Sequence, residues 1–100
     1  MILTSTWAER SDCVDGTYYW SIYWRAPRED RGKVGRTSTV GYVRRDDHGA
    51  LWKTMVFDHH KNADGSGTSD LTDGPECLTL DMAKAWVEAE FAMRGFQVRK

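Results

Sequence analysis

Residues Thr17–Arg25, TYYWSIYWR, hold five of the twelve aromatic residues of this 100-residue chain. Aromatic side chains favour strands, so the stretch predicts a strand whose alternate side chains point to opposite faces. One face would carry Tyr18, Trp20, Ile22 and Trp24, and the other Tyr19, Ser21 and Tyr23. A single core accounts for the first set only. We therefore predict that the first set faces a helix and that Tyr19 and Tyr23 point outward.

Three further strands are predicted around this one. They cover Ile2–Glu9, Thr37–Arg45 and Ala50–Asp58. In the last of them Met55 and Phe57 fall on one face, while Trp52 and Val56 fall on the other. The intervening stretches SDCVDG (11–16), APREDRGKVG (26–35) and RDDHG (45–49) are rich in turn residues and charges, which predicts exposed connections.

The segment Lys61–Glu76, KNADGSGTSDLTDGPE, has almost no large apolar residues and is predicted to be an exposed loop. Part of it matches a calcium-loop template, with glycine at the sixth position. The matching residues are Asn62, Asp64, Ser66, Gly67, Asp70 and Asp73. The first position holds Asn, the twelfth holds Asp in place of Glu, and Ser69 replaces the aliphatic anchor. We therefore expect an acidic loop that does not bind calcium.

The C-terminal segment predicts a helix that begins after Thr79 as N-cap and ends before Gly95. Phe96 would then fold back on Phe91. Two apolar stripes run along this helix. Met82, Ala85, Trp86, Ala89 and Met93 form the stripe predicted to face the sheet. Leu80, Val87 and Phe91 form the other, in which Val87 or Phe91 is predicted to stay partly exposed and to support self-association or partner contact.

These elements predict an α+β fold, namely a four-stranded, mostly antiparallel meander sheet with one C-terminal helix packed on one face. Residues 1–100 suit a single domain. Hydrophobic residues make up 40% of the chain and charged residues 29%, as in folded proteins. Neither a membrane-spanning run nor a signal peptide is recognisable, which favours the cytoplasm. Cys13 and Cys77 are predicted to be free thiols.

The motifs that would carry chemistry are weak. Asp58, His59 and His60, with His48 and Asp64 nearby in sequence, include ligand types that zinc accepts, but adjacent strand residues diverge and the spacing is poor. No Ser-His-Asp spacing, phosphate-binding glycine loop or carboxylate pair is recognisable. We therefore expect no metal, no cofactor and no enzymatic activity.

Charge divides unevenly along the chain, although the net charge is only −1. Residues 25–45 hold seven basic and two acidic residues, whereas residues 46–81 hold eight acidic and two basic ones. Either the two regions neutralise each other or they steer a charged partner. The residues predicted to bind a partner are Tyr19, Tyr23, Arg25, Arg28, Arg31, Arg36, Arg44 and Arg45. A module for single-stranded nucleic acid and a homodimeric structural protein are the alternatives.

The sequence GYVRRDDHGALWKTMVF (41–57) followed by TLDMAKAWVEAEF (79–91) resembles small proteins encoded by phages and prophages, over about the last 60 residues. Some proteins of this size and organisation are anti-CRISPRs, which inhibit bacterial defence complexes by occupying a binding surface. The resemblance implies a non-catalytic inhibitor of a bacterial defence protein in the host cytoplasm. It does not assign a role to individual residues.

Overall fold

The computed structural model describes residues 2–3, 7–10, 18–45 and 49–98, with the backbone alone for 2–3, 9–10 and 18–19. The strands are β1 (Ile2–Leu3), β2 (Ala8–Arg10), β3 (Tyr18–Arg25), β4 (Gly35–Arg45), β5 (Lys53–Lys61), β6 (Gly67–Asp73) and β7 (Phe96–Gln97). Helix α1 spans Leu80–Met93, and a 3₁₀ turn spans Arg28–Asp30. Strands β2 to β6 form an antiparallel sheet in sequence order, and β1 pairs with β7 in parallel. The predicted α+β class, an antiparallel meander with a C-terminal helix on one face, is confirmed, and the sheet has one strand more than the four predicted.

The predicted loop at Lys61–Glu76 is wrong in its second half, because residues 67–73 form β6 at the edge of the sheet. A tight turn makes this hairpin possible. Asn62 N–H donates to the Ser66 carbonyl, Asp64 accepts from Ser66 N–H, and Gly65 has φ +88°. Such a φ favours glycine. The sequence did not predict β6 because its side chains are almost all polar and therefore show no hydrophobic alternation. Polar side chains are common in edge strands, where they oppose pairing with other chains.

The strands predicted at Thr17–Arg25, Thr37–Arg45 and Ala50–Asp58 are present with shifted ends. The single strand predicted at Ile2–Glu9 was wrong, because β1 and β2 are separate short strands in two different sheets, and residues 4–6 between them lie outside the described residues. The turn predicted at 11–16, which includes Cys13, and residues 46–48 of the turn predicted at 45–49 also lie outside them. Residues 27–34 form the exposed connection predicted between β3 and β4.

The face assignment of β3 is confirmed for the side chains that the structure describes. Ile22 and Trp24 are buried on the side of α1, and Trp20 packs against the same core. Tyr23 points the other way and is 44% exposed. The predictions for the side chains of Tyr18 and Tyr19 fall outside the described side chains.

Helix α1 lies on the sheet through the stripe that was predicted to be partly exposed. Val87 and Phe91 are completely buried, as is Ala83, so the prediction that Val87 or Phe91 stays partly exposed was wrong. Of the stripe predicted to face the sheet, Trp86 is half-buried against the core, whereas Met82 and Met93 are exposed. Gly41 in β4 explains the outcome. A Cβ at this position would lie 2.4 Å from Val87 Cγ1 and 3.1 Å from Phe91 Cε1. The missing side chain leaves a recess in the centre of the sheet, and Val87 and Phe91 fill it.

The predicted helix ends are confirmed. The Thr79 hydroxyl accepts the backbone N–H of Met82 at 3.1 Å, and Gly95 follows the helix with φ +88°. The chain then turns back, so that Phe96 packs edge-on against Phe91 and is stacked on Trp24 at 4.8 Å between ring centroids. The last turn of α1 is thereby joined to the core through three aromatic rings.

Lys84 and Glu88 join the middle of α1 to the start of the sheet. The Lys84 ammonium lies 3.4 Å from the centroid of the Trp20 ring, and Glu88 accepts the indole N–H of Trp7 at 2.9 Å. A cation over an indole face is an attractive arrangement. Charged residues of the helix therefore cover the two half-buried tryptophans.

Candidate functional site

The face of the sheet opposite α1, which we call the outer face, carries an exposed apolar belt. Cross-strand pairing aligns Tyr23, Val40, Phe57 and Leu71 in one row, and Tyr42 and Met55 in the next. Tyr23 and Leu71 are 44% and 52% exposed, and the other four side chains are half-buried. No described helix or strand packs on this face. An exposed apolar patch of this kind on a soluble domain is typical of an interaction surface.

The aromatic rings of the belt hold one another in place. The Tyr42 and Phe57 rings meet edge to face, with centroids 5.9 Å apart. The His59 ring lies parallel to that of Phe57 at 6.4 Å, and its Nδ1 is 2.6 Å from the Ser69 hydroxyl. These side chains project from neighbouring strands of one sheet, so their positions are fixed by the ladder. A partner would meet a largely preorganised surface.

Cationic residues stand at both ends of the belt. At one end Arg44 and Lys53 are directly paired across β4 and β5, and both are exposed. At the other end Arg25 is exposed and pairs with Ser38. The two ends are six positions apart along β4, from Ser38 to Arg44, which corresponds to about 20 Å along a strand. Among the described side chains of the strands, Asp73 at the edge of the sheet is the one acidic side chain on the outer face.

The structure brings three of the predicted partner-binding residues to the outer face, namely Tyr23, Arg25 and Arg44. Arg28 and Arg31 lie in the exposed connection around the 3₁₀ turn, where Arg31 Nε donates to the Ala26 carbonyl. The backbone of Tyr19 pairs with Arg44, but its side chain is outside those described.

Arg36 and Arg45 were grouped with the others by sequence, but they lie on the helix side of the sheet. Arg45 follows Arg44 directly, so strand alternation turns it to the opposite face, where it lies 4.9 Å from the Trp52 ring centroid. For Arg36 the cause is an irregularity of register between Arg36 and Ser38, which reverses the alternation. The sequence has no clear signal for such a bulge.

Arg36 belongs to a buried ionic network that attaches the end of α1 to the sheet. The Asp58 carboxylate is 6% exposed and accepts a hydrogen bond from the Thr39 hydroxyl at 2.6 Å. Arg94 Nε donates to it at 2.9 Å, and Arg36 Nε lies 3.3 Å away. Burial by itself would raise the pKa of Asp58, but the hydrogen bonds from Thr39 and Arg94 and the charges of Arg94 and Arg36 together lower it. This network stabilises the fold and is separate from the outer face.

Sequence reasoning missed Tyr42, Lys53 and Leu71, and it did not use Met55 and Phe57 as site residues. Alternation in β4 and β5 was enough to place Tyr42, Met55 and Phe57 on one face. Leu71 gave no such signal, because it is the single large apolar residue of a strand read as a loop. The position of Lys53 opposite Arg44 depends on the register between β4 and β5, which the sequence does not specify.

The described candidate ligands for a metal do not converge, and His48 lies outside the described residues. Asp58 points into the core, His59 lies on the outer face, and His60 Nε2 is 3.6 Å from Asp70 on the helix side. The second half of the calcium template lies in β6, and Asp64 is bound to Ser66 within the turn. Within the described part of the chain, no group of three His, Cys, Asp or Glu residues is placed to hold a metal ion. Cys77 is a buried free thiol.

Comparison with protein-family models, with curated proteins and with solved structures gave no match. None of the described helices has the length and apolar character needed to cross a membrane. Fold and surface together define an α+β protein whose antiparallel sheet is covered by a helix on one face and carries an open aromatic belt on the other.

Proposed function

We propose that this protein is a non-catalytic binding protein that docks on a partner protein through the outer face of its sheet. One observation carries the proposal, namely the exposed belt of Tyr23, Val40, Tyr42, Met55, Phe57 and Leu71 between cationic ends. Tyrosine, phenylalanine, methionine and arginine are the residue types enriched in protein interfaces. Tyrosine suits this position because its ring adds contact area while its hydroxyl stays hydrated in the free protein.

The resemblance of the sequence to phage-encoded anti-CRISPR proteins guides the choice of partner class. We propose a bacterial defence protein, bound stoichiometrically in the cytoplasm of the host cell. Inhibition of this kind needs an interface and no reaction chemistry. The Ser69–His59 contact on the outer face does not by itself argue for catalysis, because among the described residues no carboxylate is hydrogen-bonded to the His59 ring.

A single-stranded nucleic-acid module is the second candidate function. Aromatic rings on an open sheet beside arginines favour it, since bases stack on such rings while cations neutralise phosphates. Against it stand the net charge of −1 and the engagement of the Tyr42, Phe57 and His59 rings with one another. Dedicated nucleic-acid binders are usually basic.

The test is capture with paired variants. Tyr23→Ser with Leu71→Ser removes the two most exposed members of the belt. Met82→Ser with Met93→Ser is the matched control, because these residues are 53% and 79% exposed on the outer side of α1. Each tagged variant is incubated with bacterial lysate, the captured proteins are identified by mass spectrometry, and the melting temperature and native mass are recorded.

We expect the wild type and the helix control to capture the same protein in a 1:1 complex, and the belt variant to lose it while its melting temperature stays within a few degrees. Capture by the belt variant at the wild-type level would refute docking on the outer face. A native mass of two chains that falls to one chain in the belt variant would assign the face to a homodimer.

A further inference from the structure

We infer that the partner presents a carboxylate-rich protein surface to the Arg44–Lys53 end of the outer face. This inference rests on the proposed function, because it names the chemistry of the partner on the same surface. The belt supplies apolar contact, and the Arg44–Lys53 pair would fix the orientation of the partner by charge.

The register is the main observation. Arg44 and Lys53 are directly opposite each other on neighbouring strands, and both side chains are exposed. Like charges in this position destabilise a sheet, whereas opposite charges would stabilise it. The backbone register continues this row through Tyr19 in β3 to Arg10 in β2. The row therefore crosses four strands and contains no acidic residue.

Most of the described acidic residues are paired elsewhere or displaced from this row, while Glu76 lines a surface cavity together with Lys53. Ion pairs join Lys33 to Asp30, Arg36 to Asp58, and Arg94 to both Asp58 and Glu90. Among the residues that the structure describes, no such pair forms with Arg44 or Lys53. Asp73 pairs with Met55, one row further along the outer face. An anionic partner would relieve the repulsion that the free protein retains.

An acidic protein surface fits this end better than a nucleic acid. Val40, Met55 and Leu71 interrupt the rings with aliphatic side chains, which cannot stack with bases but do pack against apolar protein groups. The cations are also confined to the ends of the belt and do not follow a continuous groove between the rings. A folded partner with an apolar centre and carboxylates about 20 Å apart would satisfy both features.

The first experiment needs no partner. Arg44→Gln removes one member of the like-charged pair, so we expect its melting temperature at low ionic strength to rise by about 1 to 5 °C. The wild type should also gain stability as sodium chloride screens the repulsion, whereas Arg44→Gln should gain less. Lys33→Gln is the control, since Lys33 is also exposed but lies 3.1 Å from the Asp30 carboxylate, so its replacement should not raise the melting temperature. An unchanged or lower melting temperature for Arg44→Gln would overturn the inference.

The second experiment uses the protein that the wild type captures. Arg44→Glu with Lys53→Glu should abolish capture, Lys33→Gln should preserve it, and capture by the wild type should weaken at least tenfold between low and high salt. If the reversed pair still captures the partner while the belt variant does not, docking on the outer face stands and the acidic-surface inference fails. Fluorescein-labelled oligo-dT of 20 nucleotides should show no change in anisotropy. Tight binding that is lost with Arg44→Glu would replace the protein partner by a nucleic acid.

Discussion

Gly41→Ala tests why α1 lies where it does. The new Cβ would lie 2.4 Å from Val87 Cγ1, 3.1 Å from Phe91 Cε1 and 3.2 Å from Ile22 Cγ2. All three neighbours are at most 1% exposed, so none of them can move into solvent. Overpacking of such a core costs about 1 to 3 kcal/mol. In a domain of this size each kcal/mol lowers the melting temperature by about 4 to 8 °C.

The assay is urea and thermal unfolding followed by circular dichroism. Gly67→Ala is the control, because the added methyl at β6 would meet only the His60 carbonyl at 3.6 Å, an ordinary contact. We expect Gly67→Ala to be neutral or slightly stabilising, since alanine restricts the unfolded chain more than glycine does.

A second-site variant isolates the collision. Val87→Ala alone should cost about 2 kcal/mol through lost burial. Combined with Gly41→Ala it should cost less than the sum of the two single changes by 1 kcal/mol or more, because the added methyl then occupies the space that Val87 leaves. Additive costs, or Gly41→Ala with wild-type stability, would refute the assignment of this recess as the seat of the helix.

Two further predictions concern ionisation and calcium. Because the pKa of Asp58 is lower in the folded protein than in the unfolded chain, its contribution is complete above the unfolded pKa of about 3.9 and is lost as pH falls through the folded value. The free energy of unfolding measured by urea titration should therefore decline below about pH 4, and it should decline less steeply for Asp58→Asn. At pH 7 Asp58→Asn should already be less stable than the wild type, because two arginines lose their buried partner. A parallel decline in both proteins would contradict this role. Millimolar calcium should leave the melting temperature equal to that measured in chelator, because half of the calcium-loop template forms β6. A rise of several degrees would show that the folded protein binds calcium.

The sequence was sufficient for those elements whose side chains alternate or repeat. In strand β3 the buried Ile22 and Trp24 alternate with the exposed Tyr23, so the faces of these side chains followed from spacing alone. The ends of α1 were equally clear, since Thr79 and Gly95 are chemically suited to their caps. In both cases local chemistry and the global fold favour the same structure.

The choice between the helix stripes depended on a contact that the helix sequence does not contain. Both stripes are apolar, and of the stripe predicted to face the sheet Trp86 packs against the core while Met82 and Met93 are exposed. What decides is the recess at Gly41, forty-six residues before Val87 in the chain. A helical wheel ranks faces by hydrophobicity, whereas packing selects the face whose shape fits the sheet. Register is non-local for the same reason, so the Arg44–Lys53 pair and the bulge beside Arg36 were beyond sequence reasoning.

The fold leaves two apolar surfaces in water, and their chemistry separates their roles. Helix α1 exposes methionines at its ends and alanines between them, along about 21 Å of helix. Flexible methionines and small alanines offer little fixed contact area. The outer face offers aromatic rings that neighbouring strands hold in place, beside arginines, and interface energy concentrates in such residues. The helix accordingly stabilises the sheet from one side, so that the other side can remain open. Replacing Met93 in the exposed stripe should therefore leave partner capture intact, whereas replacing Tyr23 should remove it.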